Sequence, residues 1–241
     1  MPKLLNPDGA PAAAATNTLS LLAALQHGDS FFPSGAVAFS AGLETLAGEG
    51  RLSSVDDVRI FLRSQLLGRW GGSDRAFLAA AHQCAADDLA RLVTIDRLAD
   101  AATLPAELRA GSIRAGAALL GVHEKLETPG AAGWRARVRA GETPGHLPVV
   151  QGLCFAGSGL DLATSEAVSI HALLTGLAGA AIRLGCIGHI AGQQIITDLQ
   201  PDIVGLLGTP APQPEDAWSY APVADIAVMR HETHDARLFA N

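Results

Sequence analysis

Gly28-Asp29-Ser30-Phe31 puts an acid beside a serine in a glycine-opened turn, the arrangement that GDSL-type hydrolases use to present a nucleophile. Such chemistry also needs a histidine base and an oxyanion-hole amide. The asparagines are Asn6, Asn17 and Asn241, so the body of the chain has none, and no D-x-x-H precedes the C-terminus. The alternative is a loop whose Asp29 and Ser30 make local turn bonds. Two pairs have metal-ligand spacing on a helix, Cys186 with His189 and His231 with His234, but eight histidines and three cysteines produce such a coincidence by chance, and the alternatives are a polar helix end at His189 and a solvated tail feature at His231. HExxH, GxxxxGK[ST] and a strand-borne GxGxxG are all absent, which excludes zincin chemistry and a phosphate-cradling loop in this chain. Arg135, Arg137 and Arg139 beside Trp134 form the densest basic cluster, but two-residue spacing fans them around a helix instead of lining a face.

The elements that must position these residues read as helices throughout. Thr18 opens a leucine-rich helix that stops near Gly28, and a short helix with Leu43 and Leu46 follows a proline-bearing loop. Ser54 with Asp57 is a capping-box start for the run Val55, Val58, Leu62, Leu66. Helices are expected over 74–86 and 87–101, then from Pro105 along a stripe of Leu108, Ser112, Ala115, Leu119, Val122 and Leu126. Gly111, Gly116 and Gly121 lie inside that helix, each costing about 1 kcal/mol against Ala, which only close packing offsets. Residues 129–146 read as a connection, Pro148 starts the next helix, and further helices cover 165–185 and 190–207. Small residues Gly176, Ala180, Gly185, Gly188 and Gly192 predict tight helix crossings. The prediction is an all-α, single-domain helical bundle of about eight to ten helices spanning 18–208. A mobile leader, 1–17, precedes it, and a proline-rich linker and C-terminal partner-binding tail, 209–241, follow it.

Composition narrows the function classes. Charged residues are 17% of the chain and apolar residues 49%, against about 25% charged in an average domain, so some apolar surface is expected to be covered by another subunit. A net charge of -7 argues against nucleic acid. The apolar run 167–182 falls short of the ~20 residues that span a bilayer, and Arg183 ends it, so it reads as a core helix and no membrane is expected. Three unpaired-looking cysteines and no apolar signal segment after Lys3 predict a cytoplasmic protein.

The segment Phe32-Pro33-Ser34-Gly35-Ala36-Val37-Ala38-Phe39-Ser40-Ala41-Gly42-Leu43-Glu44 resembles the signature of the urease accessory protein F family, approximately LPVGGFSYSQGLE. Pro33, Gly35, Ser40, Gly42, Leu43 and Glu44 match. Three further blocks resemble the family in order: Gly145-His146-Leu147-Pro148-Val149-Val150, then Ala181-Ile182-Arg183-Leu184-Gly185 running on to Gly192-Gln193, then Met229-Arg230-His231-Glu232-Thr233 with Arg237-Leu238-Phe239. Phe39, Ala41, His189 and His234 depart from the family's usual Tyr, Gln or His, Gln, and Gln.

The resemblance implies an all-α, commonly dimeric, non-catalytic scaffold. Family members join the accessory protein D, also called H, and the GTPase accessory protein G to load nickel into apo-urease. No cofactor is then bound permanently: nickel is handled by the complex, and GTP by the partner GTPase. The interface candidates it marks are Pro33, Gly35, Ser40, Gly42, Glu44, His146, Arg183, Gln193, Met229, Arg230, His231, Glu232, Arg237 and Phe239. The segment from Asp225 onward is expected to be mobile until a D-type partner orders it. A stand-alone nickel-binding protein and a GDSL-like hydrolase are the alternatives.

Overall fold

Short oxygen-bearing side chains and prolines set where most helices begin. A computed structural model of the chain describes residues 12–33, 39–84, 88–231 and 238–239, with side chains from residue 18 onward. In chain order the elements are α1 (Ala12–Gly28), α2 (Leu43–Gly48), α3 (Val55–Gln65), a π-helical stretch (Leu66–Asp74), α4 (Arg75–Gln83), α5 (Leu89–Ala102) and α6 (Ala106–Lys125). Then come α7 (Ala131–Arg139), α8 (Leu147–Gly157), α9 (Leu162–Arg183), α10 (His189–Asp198), α11 (Gln200–Leu207), a 3₁₀ turn (Pro214–Asp216) and α12 (Pro222–His231). No strand occurs among the described residues, so the fold is all-α, as the patterning predicts.

The Ser54–Asp57 capping box forms in both directions at the start of α3. Asp88 and Asp161 cap α5 and α9 through the amides of Arg91 and Thr164. Pro148 and Pro201 occupy first turns, where a missing N–H is tolerated. Pro201 also divides the expected helix 190–207 into α10 and α11, because it cannot donate the bond that would carry a single helix through.

Other boundaries correct the expectation. Helix α1 begins at Ala12 and so takes in part of the predicted leader, as an alanine run has the highest helix propensity. The connection 129–146 contains α7, anchored by a fully buried Trp134, and Arg135, Arg137 and Arg139 pair outward with Glu124 and Glu142. Of the small residues predicted to make tight crossings, Gly176, Gly185 and Gly188 face open space, whereas Ala180 is buried and Gly192 packs on Ile182. The C-terminal tail is not uniformly extended: α12 buries Ala224, Ala227 and Val228 against the bundle.

The π-helical stretch has a physical cause. A Cβ on Gly68 would lie 2.3 Å from Tyr220 O, and one on Gly72 2.5 Å from Trp218 O. Tyr220 N and Trp218 N donate to the carbonyls of the same two glycines. The extended chain before α12 therefore lies against widened turns whose carbonyls point outward to it.

Two large apolar clusters and a small third one, Phe155, Leu160 and Val168, result. One gathers α2, α3, the π-helical stretch, α9, α10 and α12, with Trp70 and Leu62 at its centre. The other gathers α4 to α8 around Phe77, Leu92 and Trp134. Helices α4 and α8 touch at Gly152, where a Cβ would fall 2.4 Å from Leu78 O, and a Cβ on Gly116 of α6 would fall 2.1 Å from Gly145 O. Close approach at Gly116 thus offsets the helix cost noted for it.

A buried ion pair ties the halves. Arg75, 2% exposed, meets Glu166 at 2.9 and 3.3 Å and also donates to Leu206 O and Thr209 O. It joins α4 to α9 and to the end of α11. The apolar helix α9, long enough by length and composition to cross a membrane, has 56% of its apolar window buried inside the bundle, as a core helix does. Arg75→Ala leaves Glu166 charged and unpaired, so urea denaturation is expected to show a loss of about 3–5 kcal/mol, while Arg75→Met with Glu166→Leu recovers much of it. A single substitution within 0.5 kcal/mol of wild type would remove the pair from the fold's supports.

Candidate partner-binding site

The signature segment turns through Ala41 (φ 49) and Gly42 (φ 93), two successive left-handed residues that aim α2 at the C-terminal helix. Gly42 is needed twice over. A Cβ there would also stand 2.9 Å from Ala224 O and 3.0 Å from Ala227 Cβ, in the path of α12. Ser40 is fully buried and its hydroxyl accepts from Glu44 N at 3.4 Å. Arg114 lies 5.5 Å from the ring centre of Phe39, a cation–π contact at the position where the resemblance expects Tyr.

Glu44 is the centre of the arrangement. Its carboxylate accepts from Leu238 N at 2.6 Å, Phe239 N at 3.1 Å and His231 Nε2 at 3.1 Å. His231, 0% exposed, places Nδ1 3.0 Å from Glu107 Oε2. Both ring nitrogens therefore face carboxyl groups, and the ring bridges α12 to α2 and to α6. Burial opposes the Glu44 charge, but the Leu238, Phe239 and His231 donors outweigh it and hold the carboxyl below its ordinary value. Phe239 is buried at 4% exposure, and the Arg183 guanidinium lies 4.4 Å from its ring centre. The segment expected to be mobile from Asp225 is instead packed at α12 and pinned at residues 238–239. Ile226 and Met229 stay about half exposed, whereas Phe239 is buried in the larger apolar cluster.

His146 lies elsewhere and is no surface residue. It is 1% exposed, at the N-cap of α8, and Asp96 accepts from its amide and from Gly145 N. Its ring joins Ser112 Oγ (3.1 Å) to Asp100 Oδ1 (3.0 Å). That order resembles a Ser–His–Asp relay, but Ser112 Oγ also accepts from Leu147 N and so caps α8. The cluster binds α5, α6 and α8 together.

Among the remaining candidates, Pro33, Gln193, Met229 and Arg230 are exposed, and Arg230 pairs with Glu49 at 3.0 Å. Gly35, Glu232, His234 and Arg237 lie outside the described residues. His231 has its two ring nitrogens 3.0 and 3.1 Å from carboxylate oxygens of Glu107 and Glu44. Cys186 is held as a thiol by burial, with an exposed His189 near it in sequence, and no cluster of three potential ligands occurs among the described residues. Asp29 accepts from Phe31 N in a local turn, the bland reading of that loop. Sequence reasoning missed Glu107, Asp96 and the Arg75–Glu166 pair. An acid in the first turn of α6 and an arginine directly before the apolar run Ala76-Phe77-Leu78-Ala79 were the available signals.

A family model described as UreF matches residues 52–200. The chain belongs to the UreF family. It is 35% identical over 232 residues to the urease accessory protein UreF of Trichodesmium erythraeum, covering 91% of this chain and 96% of that one. The UreF of Xanthobacter autotrophicus is 34% identical, with 86% of each chain covered, and UreF 1 of Brucella melitensis is 30% identical, with 92% of each covered. The UreF match ends at the first residue of α11 and leaves out α12, while the pairwise similarity covers 91% of the chain.

Because the Glu44 carboxyl is held below its ordinary value of 4.5, its ionised form contributes stability above that pH, and the contribution is lost as pH falls through the depressed value. Limited proteolysis is expected to spare the C-terminal segment at pH 6. Glu44→Ala is expected to expose it at the same pH and to lower stability by about 1.5–3 kcal/mol, the range for hydrogen bonds to a charged group. Equal cleavage of the two proteins would remove Glu44 from this role.

Proposed function

We propose that the chain is a non-catalytic urease maturation factor, a nickel-insertion chaperone that bridges the D/H-type accessory protein and the GTPase accessory protein G to activate apo-urease. The observation that carries this reading is its similarity, over about nine-tenths of its length, to a protein named urease accessory protein UreF. The polar chemistry described above is consistent with a scaffold. Its buried acids, histidines and arginines are spent on joining helices, and the turn at Asp29 makes a local bond in place of a nucleophile site.

The proposal assigns nickel to the complex as cargo and GTP to the partner GTPase, with no cofactor resident in this chain. A homodimer is part of it, supported by apolar side chains left facing outward, among them Leu19, Leu22, Ile190 and Tyr220 at 56–74% exposure. The exposed face of α12, with Met229 and Arg230 beside the pinned residues 238–239, is the surface assigned to the D/H-type partner.

Co-expression with urease and its accessory proteins tests the reading. Omitting this chain is expected to leave urease folded, nickel-poor and inactive, with the chain co-purifying on the D/H-type and G proteins when present. Light scattering of the isolated chain is expected to give a dimer at micromolar concentration. Full urease activity without the chain, or ester hydrolysis or tightly held stoichiometric nickel in the purified chain alone, would overturn it.

A further inference from the structure

We propose that α1 is an acid-releasable arm, pegged to the bundle by the stacked imidazoles of His27 and His123. The footing of α1 is thin. Ala23 and Ala24 are the half-buried residues that pack on Phe155, Leu160 and Val168, while Leu19, Leu21, Leu22 and Leu25 are 56–68% exposed. The helix rests along α9, and its last turn inserts one polar ring into the protein.

That ring is His27. Its centre lies 4.8 Å from Phe32, 5.1 Å from His123 with the planes 12° apart, and 5.2 Å from Phe155 edge-on. Nδ1 is 2.6 Å from Ala23 O, which only accepts, so Nδ1 carries the proton and Nε2 the lone pair. Nε2 is buried without a partner. His123, 0% exposed, has Nδ1 2.9 Å from Thr128 Oγ1, a hydroxyl that can donate or accept, and its Nε2 is likewise buried and unpartnered. Neutral rings stack favourably here. A proton added to either Nε2 finds no acceptor, and two charged rings at this distance repel.

The other charged groups on the surrounding elements do not meet these nitrogens. On the following loop Asp29 Oδ1 is taken by Phe31 N. Helix α6 carries Glu124, paired with Arg135, and Lys125, while α8 contributes the uncharged Phe155. Helix α9 brings Asp161 at its cap, Glu166 paired with Arg75, and His171 beside Gly28. Burial lowers the His27 pKa, and burial with the His27 charge lowers that of His123 to about 4. Depressed histidines contribute stability above 6.5 and lose it as pH falls from 6.5 toward 4, so opening at this site steepens by up to about tenfold per pH unit in that window.

Hydrogen exchange on the full-length chain tests the device, with α1 amides compared with α8 amides after correction for intrinsic rates. Between pH 7.5 and 5.5 the protection of residues 18–28 is expected to fall about tenfold relative to α8. His27→Phe keeps the apolar peg but cannot take the proton, so it is expected to lose most of that response; His123→Gln provides a second variant should the first fail to fold. His171→Gln is expected to keep it. Unchanged α1 protection in wild type, a joint loss in α1 and α8, or a full acid response in both His27→Phe and His123→Gln would each overturn the proposal.

Discussion

A carboxylate that water barely reaches must be given donors, and Glu44 draws nearly all of its donors from the far end of the chain. His231 and the amides of Leu238 and Phe239 converge on it from some 190 positions away in sequence. The rest of the architecture makes that meeting possible. Gly42 omits the Cβ that would hold α12 off, and Gly68 and Gly72 let the preceding extended chain lie against the π-helical stretch. Glu107 balances the second nitrogen of His231, so α6 joins the same charge cluster. Remove the acid and the His231 ring keeps one carboxyl partner in place of two, with the two amides left without theirs.

The same economy of polar groups runs through the interior. Asp96 gathers the amides of Gly145 and His146, Arg75 gathers Glu166 and two helix-end carbonyls, and Trp70 Nε1 donates to Ser169, which donates to Gln151. Buried polar clusters of this kind contribute little net energy when complete and cost a great deal when broken. They specify which helices meet, in a bundle whose alanine- and leucine-rich faces would accept several packings.

Local signals were legible in the sequence and long-range ones were not. The Ser54–Asp57 box and Pro148 mark helix starts because capping depends on neighbours three residues away. The π-helical stretch was invisible, since Gly68 and Gly72 widen their turns for chain 150 positions later. Trp134 marks α7 in hindsight, yet a glycine-rich context hid it. In the site, the signature and the C-terminal block each stood out, but nothing in either said that Glu44 would bind the other end. The tail was misread for the same reason: prolines and apolar residues without a visible partner look like a free segment until Gly42 supplies the gap that seats α12.

How firmly the last residues are held follows from the kinds of bond involved. Two main-chain amides fix the course of the segment at 238–239 without reading side chains, and Phe239 under Arg183 adds burial of one aromatic ring. The exposed Arg230–Glu49 pair adds at most about 1 kcal/mol. The burial that holds α12 itself is separate from these contacts, with Ala224, Ala227 and Val228 inside the larger apolar cluster. Any exchange of the chain end's partners on Glu44 and Arg183 would leave the apolar burial of α12 in place. Because Glu44 sits on α2, directly after the signature turn, any such exchange reaches the turn at Ala41 and Gly42 through a single helical turn of backbone.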